Sequence, residues 1–130
     1  VAGQHLLFVG LHTHWPVLPG LARARDESLR AAAQLVRAQD RPAIVLGDLN
    51  LTPYSPVFPW FEDAAGVRDV MDGRRWRPTW QAGFWPLALR IDRVLASTGI
   101  CVEQAEVGPS IGSDHRPVLA RLRLPLAAAP

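Results

Sequence analysis

Residues 43–50 read AIVLGDLN, a short apolar run that ends in a Gly-Asp-Leu-Asn loop. The run Ala43–Leu46 has the length and composition of a buried strand. Asp48 and Asn50 follow it two residues apart, so an extended segment would point both side chains the same way. Because α/β folds build their sites from loops at the carboxyl ends of strands, this loop is a candidate functional site. A plain turn, in which Asp and Asn serve only their turn propensity, is the alternative.

The segments around this strand predict further helices and strands. In chain order we expect a strand at His5–Leu11, a helix at Leu21–Gln39, the strand at Ala43–Leu46, a short helix at Val57–Ala65 and strands at Arg90–Ala96, Cys101–Val107 and Pro117–Leu124. The apolar residues expected on one side of the long helix are Leu21, Leu29, Ala32, Ala33, Leu35 and Val36. Asp26 and Glu27 are expected early in it and Arg37 late, which suits the helix dipole. This order indicates an α/β (α+β) unit with a mixed or antiparallel sheet.

Composition limits the class of protein further. The chain has 130 residues, 48% of them hydrophobic and 20% charged, which fits one globular domain of about 100–150 residues. A single cysteine, Cys101, excludes an internal disulfide framework. All 14 basic residues are Arg, which binds phosphate through a bidentate fork and fits a phosphate-bearing substrate; a codon-composition effect, in an Ala- and Pro-rich chain, is the favoured explanation. A net charge of +2 is too small to indicate a nucleic-acid binder by itself.

Two later motifs carry further candidate residues. Gly112–Pro117 reads GSDHRP, in which Asp114 can ligate a metal and His115 can donate to a phosphate oxygen or transfer a proton. In Ile91–Leu95, IDRVL, Asp92 interrupts an apolar strand and therefore needs a partner. A nearby histidine is one such partner, and exposure at a sheet edge or an ion pair with an Arg are the alternatives.

The first strand ends in HTHWP, so His12 and His14 share one face of an extended segment. Contact with phosphate, a zinc pair and an uninvolved surface position are the three interpretations of these histidines. The loop Gly73–Pro86 is rich in Arg and Trp and offers substrate contacts, above all through Arg77 and Trp80. The other candidates in this loop are Arg74, Arg75, Trp76 and Trp85. Arg beside aromatic rings suits nucleic acid or a lipid headgroup, and Trp residues that cap the core are the alternative.

The motifs GDLN, IDRVL and GSDHRPV, preceded by a strand that ends in TH, occur in a fixed order. In this order the chain resembles the endonuclease/exonuclease/phosphatase superfamily of deoxyribonuclease I-like hydrolases, from about Leu6 to Leu124. The HTHWPVLP and RPTWQ…IDRVLAS stretches look most like a bacterial, membrane-tethered branch. The resemblance implies a phosphoester hydrolase that uses Mg²⁺ or Mn²⁺, with nucleic acid, a phospholipid or a small phosphodiester as its substrate.

The resemblance also implies roles for the aspartate loop. Asp48 would activate or orient the attacking water. Asn50 would position that water or the phosphate and touch the metal. Asp114 would join Asp48 and Asn50 in the metal cluster. Cations, an oriented water and stabilisation of the leaving oxygen are what phosphoester hydrolysis requires.

On the phosphate side, the resemblance implies that His115 binds the scissile phosphate and stabilises its charge, with Asp92 orienting the ring. His14 would be the second phosphate-side histidine, with His12 in its place if the register is shifted by two. Many family members have His or Tyr after the IDRVL aspartate, whereas this chain has Arg93. This departure changes a neighbour of the implied catalytic residues and none of those residues themselves.

The family fold is a four-layer α/β sandwich, and the resemblance covers its C-terminal half, with residues 1–124 in that half and 125–130 as a tail. The family's N-terminal half carries an Asn and the Glu that is the main metal ligand, so we expect this chain alone to be weakly active. We expect the sheet face that the missing N-terminal half would cover to be apolar and to pair with a second copy in a homodimer. The alternative function is a non-catalytic binding or interaction module that retains the motifs.

Overall fold

The structure, a computed structural model, describes residues 5–74, 77–80 and 88–125 of the chain. Within these ranges the elements are β1 (Leu7–His12), α1 (Pro19–Arg37), β2 (Ala43–Asp48), α2 (Val57–Ala65), β3 (Val67–Asp69), β4 (Asp92–Ser97), β5 (Cys101–Val107) and β6 (Val118–Arg123). The expected α/β class, with a mixed sheet and flanking helices, is confirmed.

The larger sheet has four strands in the order β1-β2-β4-β3. Strands β1 and β2 are parallel, and α1 forms the crossover between them. Strand β4 pairs antiparallel with β2 on one side and with β3 on the other. Strands β5 and β6 form a separate antiparallel pair. The parallel pair at one edge and the antiparallel strands beside it make this sheet mixed, as the order of elements predicts.

Helix α1 begins at Pro19, two residues before the predicted start at Leu21, because proline is favoured in the first turn, where its missing N–H needs no partner. Asp26 and Glu27 lie beyond the first turn of α1, where the effect of the helix dipole has largely faded, so the prediction that they serve it is wrong. Arg37 does lie in the last turn. Leu35 is exposed, which corrects its place on the apolar side. The buried positions Leu29, Ala32, Ala33 and Val36 follow the i, i+3, i+4, i+7 spacing, and Leu35 does not.

Strand β3 was not expected from the sequence. It has three residues, VRD, directly after α2, and it pairs with the far end of β4. A segment this short has no periodicity of its own, and its pairing with β4 defines it. Gly66 ends α2 in the left-handed conformation, with φ of 68°, and turns the chain into this strand. Asp69, at the end of β3, reaches the molecule's interior.

The helices cover one face of the four-stranded sheet. The buried residues of this core come from β1, β2, β4 and both helices, and include Val9, Val45, Leu95, Leu29 and Phe61. Because side chains alternate along a strand, the neighbouring residues Phe8, Ile44, Leu46, Val94 and Ala96 face the opposite side.

On that opposite side, Ile44 and Ala96 join a second apolar cluster with residues of β5. Elsewhere on the same face, Phe8 on β1 and Leu46 on β2 are 61% and 38% exposed. Part of this face is therefore apolar and exposed and part is covered; its pairing with a second copy stays a prediction. Among the described residues, no helix is long and apolar enough to span a bilayer.

Candidate active site

The ends of β1 and β2 and the start of β4 lie side by side at one end of the large sheet. The register of β1 on β2 places His12 beside Asp48, and the register of β2 on β4 places Asp92 beside Asp48. Directly opposed residues of an antiparallel pair have Cβ atoms about 4.5–5.5 Å apart. Two carboxylates are thus held side by side by backbone pairing, at the carboxyl end of β2 and the start of β4.

His115 completes this group from the loop before β6. Its Nδ1 lies 2.9 Å from Asp92 Oδ2 and 3.1 Å from Oδ1. Since a carboxylate accepts hydrogen bonds, this contact assigns the ring proton to Nδ1 and leaves Nε2 for another partner. One ligand atom each from Asp48, Asp92 and His115 lie within 4.8 Å of one another.

Burial and charge set the state of Asp48. Partial burial raises its pKa above the ordinary value of 3.8, and the neighbouring Asp92 carboxylate raises it further. The opposing influences are the Asn50 N–H donated to Asp48 Oδ1 at 2.8 Å and the two histidines, His115 and His12. His12 Nε2 lies 3.9 Å from Asp48 Oδ2. This environment favours a proton or a cation at the carboxylate pair.

Asn50 has a special backbone conformation, with φ of 45°. Asparagine is among the few residues other than glycine that enter this left-handed region readily. Its Nδ2 donates to the Thr13 carbonyl at 2.8 Å, which leaves the amide oxygen to meet a ligand. The buried Thr13 in turn donates its hydroxyl to Leu49 O at 2.6 Å. Thr13, just after β1, is therefore linked to Leu49 and Asn50, the two residues that follow Asp48.

These residues line a cleft of about 600 Å³. Its walls are formed by His12, Thr13, His14, Trp15, Pro16, Asp48, Asn50, Thr52, Trp80, Leu89, Ile91, Asp114 and His115. Trp15 and Trp80 meet edge to face, with ring centroids 5.3 Å apart. Trp80 Nε1 donates to Asp114 Oδ2 at 3.2 Å.

The structure brings most of the predicted site residues into this cleft: His14, Asp48, Asn50, Trp80, Asp114 and His115 line it, and Asp92 contacts His115 beside it. His14 and His12 both line the cleft, but among the described contacts only His12 approaches Asp48. Asp114 is bonded to Trp80 and lies outside the compact group around Asp48. The catalytic, metal-binding and substrate-binding roles of these residues stay predictions.

The Arg- and Trp-rich loop contributes less than expected to the described site. Arg77 is exposed and does not line the cleft. Arg74 donates instead to the carbonyls of Val70 and Val102. The candidates Arg75, Trp76 and Trp85 lie outside the described residues.

A buried ion cluster beneath the site was missed by the sequence analysis. Arg93 is 2% exposed, and its Nη1 lies 2.7 Å from Asp69 Oδ2, with Arg90 Nη1 at 3.0 Å from the same oxygen. Arg93 Nη2 also donates to the carbonyls of Leu51 and Arg90, at 3.2 and 2.8 Å. Arg93 therefore ties the loop after Asn50 to the start of β4. The alternation in IDRVL, which points Arg93 away from Asp92 and into the helix-side core, was the available signal.

The donor set fits a divalent cation. Carboxylate and amide oxygens are the ligands that Mg²⁺ prefers, and Mn²⁺ accepts imidazole as well. Asp48 and Asp92 supply such oxygens from opposed strand positions, and partial burial together with the Asp92 charge raises the pKa of Asp48, which a bound cation would offset. The residues present thus suit a cation between the two aspartates and His115.

Comparison with known proteins assigns the chain to a family. Residues 2–115 match the family described as "Endonuclease/Exonuclease/phosphatase family". The chain belongs to this family, whose fold and hydrolase class the sequence motifs had indicated. No curated protein matches the chain. The membrane-tethered branch stays a prediction.

Solved structures share the fold. An endonuclease/exonuclease/phosphatase protein of Beutenbergia cavernae is 25% identical, with a TM-score of 0.68 over 88% of this chain and 34% of its own. A family protein of Bacteroides thetaiotaomicron is 23% identical, with a TM-score of 0.72 over 92% and 50%. A mannosyl-6-phosphatase of the same species is 23% identical, with a TM-score of 0.67 over 94% and 52%. The chain thus spans about half the length, or less, of these structures.

Proposed function

We propose that the protein to which this chain belongs is a phosphoester hydrolase that depends on a divalent metal. The observation that carries the proposal is the opposed pair Asp48 and Asp92 with His115 bonded to Asp92, beside a cleft of about 600 Å³. Membership of the endonuclease/exonuclease/phosphatase family supports the hydrolase class.

In this proposal Asp48 orients the attacking water and takes up its proton. The raised pKa of Asp48 suits that role, because a carboxylate with a higher proton affinity is a stronger base. Asn50 positions the water or the phosphate through its amide oxygen, with its Nδ2 held by Thr13. Asp92 accepts from Nδ1 and holds the His115 ring so that Nε2 faces the cleft, where the doubly protonated ring would donate Nε2–H to a phosphate oxygen.

Asp48 and Asp92 would hold the metal, with Asn50 and Asp114 as further candidate ligands. A bound Mg²⁺ or Mn²⁺ would stabilise the negative charge that develops as the phosphoester bond breaks. The family's main acidic ligand is expected from the N-terminal half, so we propose that this chain alone binds metal weakly and turns over slowly.

The substrate is a phosphomonoester or phosphodiester whose organic group lies in the cleft. Trp15 and Trp80 supply aromatic surface beside the site, which suits a ring in the substrate. The mannosyl-6-phosphatase among the similar structures supports a small sugar phosphate as a candidate alongside nucleic acid and phospholipid.

A hydrolysis assay tests the proposal. A fluorogenic phosphodiester and a sugar phosphate are incubated with Mg²⁺ or Mn²⁺, using this chain and a longer protein that contains it. We expect turnover by the longer protein, little by this chain, and a loss of at least about 10²-fold in His115→Ala, because charge stabilisation is lost. The matched control is His5→Ala, at an exposed histidine away from the cleft.

Two results would contradict parts of the proposal. If the longer protein hydrolyses no phosphoester, the enzymatic function is wrong and the non-catalytic module is favoured. If this chain alone turns over rapidly and His115→Ala abolishes that activity, the claim that its site is incomplete is wrong.

A further inference from the structure

Thr79 and Trp80 lie between the two segments that carry Asp92 and His115. The Thr79 and Trp80 N–H groups donate to Leu89 O at 2.8 and 2.9 Å, and Leu89 N–H donates to Trp80 O at 3.1 Å. On the other side, Arg116 N–H donates to Thr79 O at 2.6 Å. The backbone of this pair therefore joins the chain before Asp92 to the residue that follows His115.

The Thr79 side chain strengthens the first of these links. It is fully buried, at 0% exposure, and its hydroxyl oxygen accepts the N–H groups of Ile91 at 3.2 Å and of Asp92 at 3.0 Å. A hydroxyl oxygen has two lone pairs, so both are engaged by this one stretch of backbone. An apolar side chain at position 79 would leave the buried Ile91 N–H and the partly buried Asp92 N–H without this acceptor.

These contacts converge on the Asp92–His115 pair. Asp92 is held at its backbone by Thr79 Oγ1, while its carboxylate holds His115 Nδ1. The residue after His115 is held by Thr79 O. One residue thus fixes the backbone on both sides of a contact whose partners are 23 residues apart in sequence.

We propose that Thr79 is a positioning residue for His115. By fixing Asp92 and Arg116, it keeps the His115 proton on Nδ1 and presents Nε2 to the cleft. This inference deepens the proposed function, since it rests on His115 as the phosphate-side group. Nothing in the sequence motifs assigns a role to Thr79.

Three variants separate positioning from general stabilisation. Thr79→Val keeps the shape but removes the acceptor, and Thr79→Ser keeps the acceptor. The matched control is Ser97→Ala, because Ser97 Oγ accepts the Ala43 N–H at 2.9 Å, a similar bond at the opposite end of β4. Unfolding by urea is measured for each variant to establish that it is folded.

The readout is the tautomer of His115, from ring ¹⁵N NMR of this chain at a pH about two units above the ordinary His pKa of ~6.5. We expect the Nδ1–H form to dominate in the unaltered chain, in Thr79→Ser and in Ser97→Ala. In Thr79→Val the ratio of Nδ1–H to Nε2–H should fall at least about threefold, because the hydrogen bond that selects the tautomer is misaligned.

Activity of the longer protein gives a second readout. Thr79→Val should lower kcat by about tenfold with KM changed less than about twofold, since a misplaced His115 affects charge stabilisation more than substrate binding. An unchanged tautomer and kcat in a folded Thr79→Val would overturn the proposal, and so would an equal change in Ser97→Ala.

If Thr79→Val does not fold, the unaltered chain still decides the matter. The Asp92 amide proton must exchange slowly with solvent, and His115 must carry its proton on Nδ1; failure of either overturns the proposal. The tautomer test does not require turnover. If no phosphoester is hydrolysed while the tautomer shifts as expected, the positioning role is supported and the proposed function fails.

Discussion

At the scale of single residues, the site is governed by two carboxylates placed opposite each other. Asp48 and Asp92 are register partners across β2 and β4. In the described contacts, Asp48 accepts from the Asn50 N–H and Asp92 from His115, and no hydrogen bond joins the two carboxylates. Burial and this like charge raise the pKa of Asp48. The ionised Asp48 carboxylate therefore lowers the free energy of unfolding at neutral pH, although the proposed reaction needs this group.

The pKa of Asp48 predicts a pH dependence of stability. Because its pKa in the folded chain exceeds 3.8, the folded state binds more protons than the unfolded state just above that pH, and stability falls as the pH rises. In metal-free buffer, Asp48→Asn should therefore be more stable than the unaltered chain at pH 7, and the difference should disappear below pH 3.8. Urea unfolding across this range is the measurement.

Asp40→Asn, at an exposed aspartate, is the control and should leave the pH profile unchanged. If Asp48→Asn stabilises the chain more at acidic pH than at pH 7, then Asp48 does not have the raised pKa that this prediction requires.

At the scale of elements, the backbone at the end of β2 requires a glycine. Gly47 has φ of 134°, and a Cβ at this position would overlap the Leu11 carbonyl of the neighbouring strand. The close approach of β1 and β2 is what brings His12 and Thr13 beside Asp48. Gly47 of the GDLN motif thus allows β1 and β2 to pair closely, and Asp48 and Asn50 after it line the cleft.

Gly47→Ala should lower the free energy of unfolding by about 3 kcal/mol or more, because strain at positive φ and overpacking against backbone combine. The control is Gly73→Ala, where φ is also positive, at 69°, but an added Cβ meets nothing within 4 Å. Gly73→Ala should cost about 1 kcal/mol. Equal losses in denaturant unfolding would show that the contact with Leu11 is unimportant.

The buried cluster of Asp69, Arg90 and Arg93 connects β3 and β4 beneath the site. Asp69→Asn would leave two buried guanidinium groups without an anion, so we expect a loss of about 3–5 kcal/mol of stability. Asp63→Asn breaks an exposed ion pair with Arg68 and should cost less than about 1 kcal/mol. Thermal unfolding of the two variants compares them directly, and similar melting temperatures would contradict the importance of the cluster.

At the scale of the whole molecule, part of the large sheet is an exposed apolar surface on the face away from the helices, within the described residues. Phe8 and Leu46 are exposed on it, and Ile111, 69% exposed, adjoins Leu46 and Val94. Exposed apolar surface of this kind marks interfaces. The similar structures are about twice as long as this chain, or longer. We propose that further polypeptide covers this face in a longer protein. In the chain alone, we propose that a second copy of the chain covers it.

Analytical ultracentrifugation over a range of concentrations tests this association. The unaltered chain should form a dimer, and Phe8→Ser should shift it towards monomer by at least about tenfold in Kd, since a large apolar side chain is removed from the interface. Tyr54→Ser, at another highly exposed aromatic, is the control and should have no effect. A stable monomer of the unaltered chain at all concentrations would contradict the homodimer.

Much of this molecule follows from local sequence. Helix α2 and strand β5 have the bounds that their sequences predict, and the other predicted elements differ by one or two residues at their ends. Strand β3 was missed because three residues carry no period. The aspartate and histidine motifs were found as candidates because each interrupts or ends an apolar run.

The sequence by itself determined the order of helices and strands and which polar side chains stand at the strand ends, because periodicity and turn chemistry act over a few neighbouring residues. Only the tertiary structure decided that Asp48 faces Asp92, that His115 closes on Asp92, and that Arg93 and Thr79 hold the segments around them. These relations depend on strand register and on contacts between residues distant in the chain, which no local pattern specifies. The site therefore depends on strand pairing, because hydrogen bonds between β2 and β4 bring together Asp48 and Asp92, which are far apart in the sequence.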